Sequence, residues 1–309
     1  MGSLSAWVTG GSGFIGRALT KRLIETGWDV THIARPDSRL NPGATAVRVE
    51  TLSREALAQA MQGRRCDVLF HLATYGVAPH MRDLGTMFDV NVAGTAAAVE
   101  IACVAGAKAI VYAGSCSEYG KAEPDEPIDE NHPLNAMAPY GASKAAGGLW
   151  GRAVAGAFRV PFQWMRVFGV FGPGEAAHRL IPAIVAKVTR AEPVALSPGD
   201  QVRDFLYVDD AAEGLIMAAR AGVEGLTGPF NLCSGEPVTV KQMALAVADA
   251  LGQSRSLLNF GATGYRPDET LWLVGRPNRF RASSGFAPRR SLSEGIVLTL
   301  AALGVANGR

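Results

Sequence analysis

The chain has 309 residues, 48% hydrophobic and 19% charged, with 36 glycines spread along its length. That composition supports a sizeable core and many turns, and it excludes a disordered polymer. A net charge of +2 excludes bulk attraction to nucleic acid or to an anionic membrane, so any anion site must be local.

In chain order, Ala6–Val8 reads as a short strand and residues 17–26 as a helix closed by Gly27. Strands follow at 30–34 and 44–49, and a helix at 54–62. The apolar run 67–72 suits a strand buried on both faces. A long helix over 84–104, a strand at 109–113, a helix over 140–158 and a strand at 160–167 complete the series. Strands alternating with helices at this spacing predict right-handed βαβ units and a parallel sheet. After Gly169 short mixed elements dominate, with helices at 179–190, 210–220 and 240–251. We therefore expect an α/β protein, a Rossmann-like doubly wound sheet over 1–168 with a return segment near 203–220. A smaller C-terminal α/β region is expected over 169–309, which the family resemblance given below implies to be the nucleotide-sugar-binding domain.

The four cysteines, Cys66, Cys103, Cys116 and Cys233, have no CxxC spacing, which argues against a disulfide framework or a metal site. No apolar run approaches the roughly 18 residues of a membrane span. The immediate first strand leaves no room for a signal peptide, and Ala6 breaks the myristoylation pattern behind Gly2. A soluble, cytoplasmic protein is expected.

Thr9-Gly10-Gly11-Ser12-Gly13-Phe14-Ile15-Gly16 joins the first strand to the first helix. Gly10 permits a tight turn, Gly13 lets backbone approach a pyrophosphate, and Gly16 lets helix and strand pack closely. Phe14 and Ile15 complete the turn, whose free N–H groups and positive helix end face a diphosphate. In this strand-to-helix context the pattern signifies dinucleotide binding. An acid at the end of the second strand would select NAD(H). Here Ala34 stands in that place, followed by Arg35 and, four further on, Arg39, with Asp37 a substitute acid only by a shift of register. Because a guanidinium can hold a phosphate bidentately, NADP(H) is favoured and NAD(H) remains possible.

Tyr140 and Lys144 are spaced one helical turn apart in Tyr140-Gly141-Ala142-Ser143-Lys144. A neighbouring ammonium, with a cationic nicotinamide, lowers a phenol's pKa and suits it to exchange a proton with a reacting oxygen. Ser115, at the end of the strand 109–113, can hydrogen-bond the same oxygen.

These segments resemble the extended short-chain dehydrogenase/reductase family, in its NAD-dependent epimerase/dehydratase branch, over nearly the full chain. The matching segments are TGGSGFIG at 9–16, DVLFHLA at 67–73, NVAGT at 91–95, AGSCSEYG at 113–120, YGASK at 140–144, RVFGVFGPGE at 166–175, RDFLYVDD at 203–210 and FNLCSGEPVTV at 230–240. The resemblance implies a catalytic set of Ser115, Tyr140 and Lys144, with Lys144 also on the nicotinamide ribose and Ala73 lining the cofactor pocket. It implies a nucleoside-diphosphate sugar as substrate, its diphosphate gripped by Arg203 and Arg266, and a homodimer built from the helices at 84–104 and 140–158.

Departures from the family pattern narrow the reaction. Cys116 and Ser117 stand where the 4,6-dehydratases carry an Asp-Glu pair, which removes the acid needed to eliminate water. Gly169 replaces the Asn usual in UDP-galactose-type epimerases, which also tend to carry the acid that Ala34 lacks. An NADPH-dependent reductase of a 4-keto-6-deoxy sugar is expected. A 4-epimerase is the alternative, and a non-catalytic NADP-binding regulator a lesser one. Tyr75 and His80, in the loop after the fourth strand, are candidates for contact with the sugar. Phe171, Gly174, His178 and residues 180–182 border the substrate by family position. Cys116 reads as a buried thiol, and Trp150 and Trp272 as packing residues.

Overall fold

In the computed structural model, which describes residues 3–121, 125–265 and 269–305, seven strands form one sheet in the order β10-β6-β5-β4-β1-β2-β3. The strands are β1 (Ser5–Thr9), β2 (Asp29–Ala34), β3 (Thr45–Arg48), β4 (Val68–His71), β5 (Ala109–Ser115), β6 (Phe162–Val167) and β10 (Gly228–Leu232). Every pairing in it is parallel, as the βαβ spacing predicts. Helices α1 (Phe14–Glu25), α2 (Arg54–Ala60), α3 (Leu84–Phe88), α4 (Gly94–Val104) and α5 (Pro139–Ala157) connect them.

Both faces of the sheet are covered, and the side-chain alternation of each strand decides which core a residue joins. Ala6, Val8, Val68, Phe70 and Val111 pack with Leu19 and Leu23 of α1. Trp7, Leu69, Ile110 and Tyr112 point the other way, into a core with Val99 and Ala102 of α4. The predicted long helix of 84–104 is α3 and α4 joined by a π turn over Asp89–Ala93. By length and composition this unit could cross a membrane, which corrects the sequence reading that no apolar run approaches that length. Its inner face is nonetheless buried on α5 and the sheet.

The remaining elements are β7 (Gly169–Phe171), α6 (Leu180–Val188), β8 (Val194–Leu196), β9 (Val202–Tyr207) and α7 (Val208–Val223). They continue through β11 (Pro237–Thr239), α8 (Val240–Ala250), β12 (Leu258–Phe260), β13 (Trp272–Leu273), α9 (Asn278–Ser284) and α10 (Leu292–Ala302). A small sheet forms around β9, with β11 antiparallel to it and β13 and β7 parallel; β8 and β12 make a two-stranded parallel pair. The chain does return to the large sheet, α7 packing against α1 and β5. It then supplies β10 as the outermost strand beside β6. Sequence pattern alone misses β10, because Gly228-Pro229 at its start imitates a turn. Proline is tolerated there on a sheet edge.

Strand order reverses between β1 and β4, which opens a crevice at the carboxyl ends of the strands. That topological switch point is where open α/β sheets bind ligands. Thr9, His71 and Ser115 end β1, β4 and β5 on this rim.

Candidate active site

The glycine turn occupies the switch point. Gly10 has φ +70°, and a Cβ there would lie 2.6 Å from the backbone of Leu72 and Ala73, beyond the end of β4. The turn thus needs glycine both for its left-handed geometry and for close approach to the neighbouring strand. Helix α1 begins at Phe14, three residues before the position read from sequence, with Gly13 as an N-cap that offers no side-chain acceptor. The first N–H groups of the helix are therefore free for an anion. Gly13 meets only the Gly10 carbonyl, at 3.2 Å from an added Cβ, so its outer side is open to a phosphate. Gly16 differs from expectation. A Cβ on it would lie 2.2 Å from the Gly10 carbonyl oxygen, so it serves packing of the helix against its own turn rather than against the strand.

Ala73 borders this turn, its N–H donating to Thr9 Oγ1 at 3.2 Å. At the end of β2, Ala34 is buried and Arg35 is exposed, in loose contact with Asp37 at 3.9 Å. Arg48, from the end of β3, was not anticipated. Its Nη1 donates to the carbonyls of Arg35 (2.7 Å) and Ser38 (2.8 Å), bracing the turn that carries Arg35.

Ser115, Tyr140 and Lys144 come together beside the crevice. Glycines bring α5 in: a Cβ on Gly141 would meet the Ser117 carbonyl at 2.3 Å, and one on Gly147 the Asn91 carbonyl at 2.1 Å. The Thr74 and Ser115 hydroxyls bond the Tyr140 phenol and favour its ionised form, yet burial prevails and pushes the phenol up to about 12. The sequence reading, in which Lys144 and a cationic nicotinamide together lower it, concerns the cofactor-loaded enzyme. In the chain by itself desolvation outweighs nearby polarity, and the phenol holds its proton.

Lys144 is 1% exposed, its Nζ lies 4.3 Å from the Tyr112 ring centroid, and that Nζ has no hydrogen-bond partner among the described residues. Burial pulls it down to about 8, against the opposing attraction of Glu118. An unpartnered buried ammonium at a nucleotide-type crevice fits a ribose hydroxyl, and the open Gly13 turn fits a diphosphate. A nicotinamide dinucleotide therefore matches the residues present.

Other candidates divide. Tyr75 is half-buried, and its backbone is clamped by Asn91, whose Oδ1 accepts from the Tyr75 N–H (2.8 Å) and whose Nδ2 donates to the Tyr75 carbonyl (2.8 Å). The π turn aims Asn91 inward, where it also donates to Ser143 Oγ at 2.9 Å. His80 and His178 are exposed, and neither makes a polar side-chain contact among the described residues. Arg203 is paired with Glu269. Arg266 falls outside the described residues. Cys116 is buried and its thiol is pushed up to about 12 by desolvation, as an inert thiol should be. Phe171 is buried, Gly174 takes φ +88° and residues 180–182 open α6. Trp272 donates Nε1–H to the Glu126 carbonyl at 3.0 Å. Trp150 corrects its sequence reading: it is 60% exposed on α5 and not packed. Gly169 has a packing reason of its own, since a Cβ would lie 2.4 Å from the Asp204 carbonyl across β9.

Glu118 is the main residue that pattern reasoning passed over. It is fully buried under Ser115, and its Oε1 accepts the Ser115 N–H at 2.8 Å. The SEYG run held the signal, a carboxylate three residues after a Ser N-cap.

A dinucleotide turn at the switch point, with a Ser, Tyr and Lys set facing it, defines a nicotinamide-dependent enzyme of the oxidoreductase and epimerase class. The chain belongs to the NAD dependent epimerase/dehydratase family, which it matches over residues 6–233. It is 26% identical to UDP-glucose 4-epimerase of Mycolicibacterium smegmatis, covering 95% of this chain and 96% of the relative. It is 27% identical to dTDP-6-deoxy-L-talose 4-dehydrogenase (NAD(P)(+)) of Kitasatospora kifunensis, over 94% and 92% of the two chains. The crystal structure of Thermus thermophilus UDP-glucose 4-epimerase complexed with NAD superposes with a TM-score of 0.87 at 26% identity, over 98% of this chain and 100% of that one.

Proposed function

We propose that this enzyme uses NADPH to reduce a keto group, at C4, of a nucleoside-diphosphate 4-keto-6-deoxy sugar. The observation that carries the reading is the end of β2, where Ala34 removes the carboxylate that would repel a 2′-phosphate and Arg48 braces the Arg35 turn. A cofactor held with its 2′-phosphate favours net reduction over the closed cycle of an epimerase.

In this reading NADPH supplies the hydride. Ser115 orients the carbonyl, Tyr140 gives its proton to the developing alkoxide, and Lys144 holds the ribose and the local positive charge. Arg203 exchanges Glu269 for the substrate diphosphate, joined by Arg266. The test is NADPH oxidation against dTDP-, CDP- and GDP-linked 4-keto-6-deoxy sugars, with NADH in parallel. Consumption of NADPH with one of them supports the reading. Interconversion of UDP-hexoses by protein that retains NAD would replace it with the 4-epimerase, the reading that the epimerase relatives favour.

Two expected results follow from particular residues. Replacing Arg35 and Arg39 by Ala removes two cations of the turn after β2 from the 2′-phosphate, each charge-assisted bond contributing about 1.5–3 kcal/mol. The KM for NADPH should rise at least about tenfold while that for NADH stays nearly constant, as initial rates with each cofactor would measure. The second concerns assembly. Leu84 (62% exposed), Phe88 (59%), Leu149 (47%) and Trp150 (60%) lie on the α3–α4 and α5 helices, an apolar display that suits a second copy of this chain. Trp150→Asp should yield a monomer by size-exclusion chromatography with light scattering, against a dimer for the parent chain.

A further inference from the structure

Beneath the rim lies a buried charged cluster that the reduction scheme leaves unused. Glu118 Oε2 accepts from Arg166 Nε at 3.2 Å, while Oε1 takes the Ser115 N–H and the Trp164 Nε1–H (3.3 Å). Arg166, from β6, also donates to Tyr119 Oη at 2.9 Å and to the Glu130 carbonyl at 3.2 Å. Tyr119 in turn donates to Asn231 Oδ1 at 2.7 Å, which ties the cluster to β10. A Cβ on Gly114 would lie 2.6 Å from both Glu118 Oε1 and Trp164 Nε1, so the strand is stripped of a side chain to admit the carboxylate.

A buried carboxylate under a reactive hydroxyl is costly unless it is fully partnered. This one spends one oxygen on the backbone of Ser115. The Ser115 side chain accepts in return from the Ser117 N–H at 3.1 Å, and the strand end and following 3-10 turn (Cys116–Glu118) become one rigid unit. Glu118 also faces Lys144 electrostatically. The titratable and charged groups around Lys144 are Glu118, Tyr112 from β5, His71 from β4 and Tyr140 on its own helix. Among them Glu118 is the acid. Around Glu118 itself stand Arg166, Lys144, Tyr112, Tyr119, Tyr140 and Cys116.

We propose that Glu118 is a positioning residue for proton transfer, which aims the Ser115 hydroxyl through its backbone and holds the positive charge on Lys144. The inference rests on the roles given above to Ser115, Tyr140 and Lys144. Two substitutions separate the functions. Glu118→Gln keeps an acceptor for the Ser115 N–H and removes the charge. Glu118→Asp keeps the charge and, one methylene shorter, loses the reach.

The sign of the pH effect follows from charge: burial raises the Glu118 carboxyl to about 7, so on the alkaline side it is an anion. Lys144 must be protonated in the active form, and the anion of Glu118 favours that form. Without it Lys144 gives up its proton at lower pH, so the alkaline limb of the kcat/KM profile should move down by about one pH unit in Glu118→Gln. In Glu118→Asp the limb should stay, and kcat should fall about tenfold with KM for NADPH unchanged. If Glu118→Gln leaves Arg166 too poorly paired to fold, Glu118→Asp, which keeps the ion pair's charges, decides by its kcat. A limb unmoved in folded protein lacking the Glu118 charge, or a wild-type kcat in folded Glu118→Asp, overturns the proposal. Tyr140→Phe is the separating control. If it keeps wild-type activity, the underlying reading fails; if it is inactive while the Glu118 variants behave as wild type, only the inference about Glu118 fails.

Discussion

Tyr140→Phe should lower kcat for keto-sugar reduction by about 10³-fold, the range expected when a positioned general acid is removed. The change deletes one oxygen from a side chain wedged between Gly76, Ser115 and Thr74, so the fold and cofactor binding should survive. The loss should therefore appear in kcat, with KM for NADPH nearly unchanged. Lys144→Met should differ in kind. It removes an ammonium whose unpartnered, buried position fits a ribose hydroxyl, so NADPH affinity and kcat should fall together. It should also relieve a buried charge, and the variant should be at least as stable as the parent in thermal melting. Equal losses in kcat alone for both variants would mean that Lys144 does not contact the cofactor.

Substitutions in the glycine turn should rank by their contacts rather than by their place in the motif. Gly16→Ala drives a methyl to 2.2 Å from the Gly10 carbonyl, which can be relieved only by moving backbone at the first turn of α1. Gly10→Ala adds a left-handed backbone cost of about 1–2 kcal/mol to a 2.6 Å clash with residues 72–73. Both should lose several degrees of Tm and weaken NADPH binding at least about a hundredfold, roughly the 3 kcal/mol of a displaced diphosphate site. Gly13→Ala, at 3.2 Å from its nearest neighbour, should melt near the parent temperature. It should still bind NADPH more weakly, because its methyl fills the side left open for phosphate. Fluorescence titration with NADPH beside thermal melts would resolve the two classes. Unchanged affinity in Gly13→Ala would mean that the turn does not face the diphosphate.

The site was legible in the sequence where local geometry dictates residue type. A turn with a left-handed residue and a helix start without a side-chain cap leaves a mark that glycine alone can carry, so residues 9–16 could be read directly. Tyr140 and Lys144 share a helix, and their spacing fixes their relation before any tertiary contact forms. Ser115 became a candidate because it ends a strand of the parallel series.

What was not legible depends on contacts between distant segments. Glu118 and Arg166 are 48 residues apart, and only the pairing of β5 with β6 brings them under Ser115. Arg48 reaches the Arg35 turn because β3 lies beside β2, a neighbour relation no local pattern states. The strand β10 joins the sheet through a crossover of α7, although its opening Gly-Pro reads as a turn.

Periodicity, glycine placement and helical spacing thus determined the parallel sheet, the glycine turn and the Tyr–Lys relation, because each depends on residues within a few positions of one another. Tertiary structure decided the burial of Tyr140, the isolation of Lys144, the exposure of Trp150 and the carboxylate under Ser115. Burial and charge are properties of everything packed around a group, and the sequence near that group does not contain them.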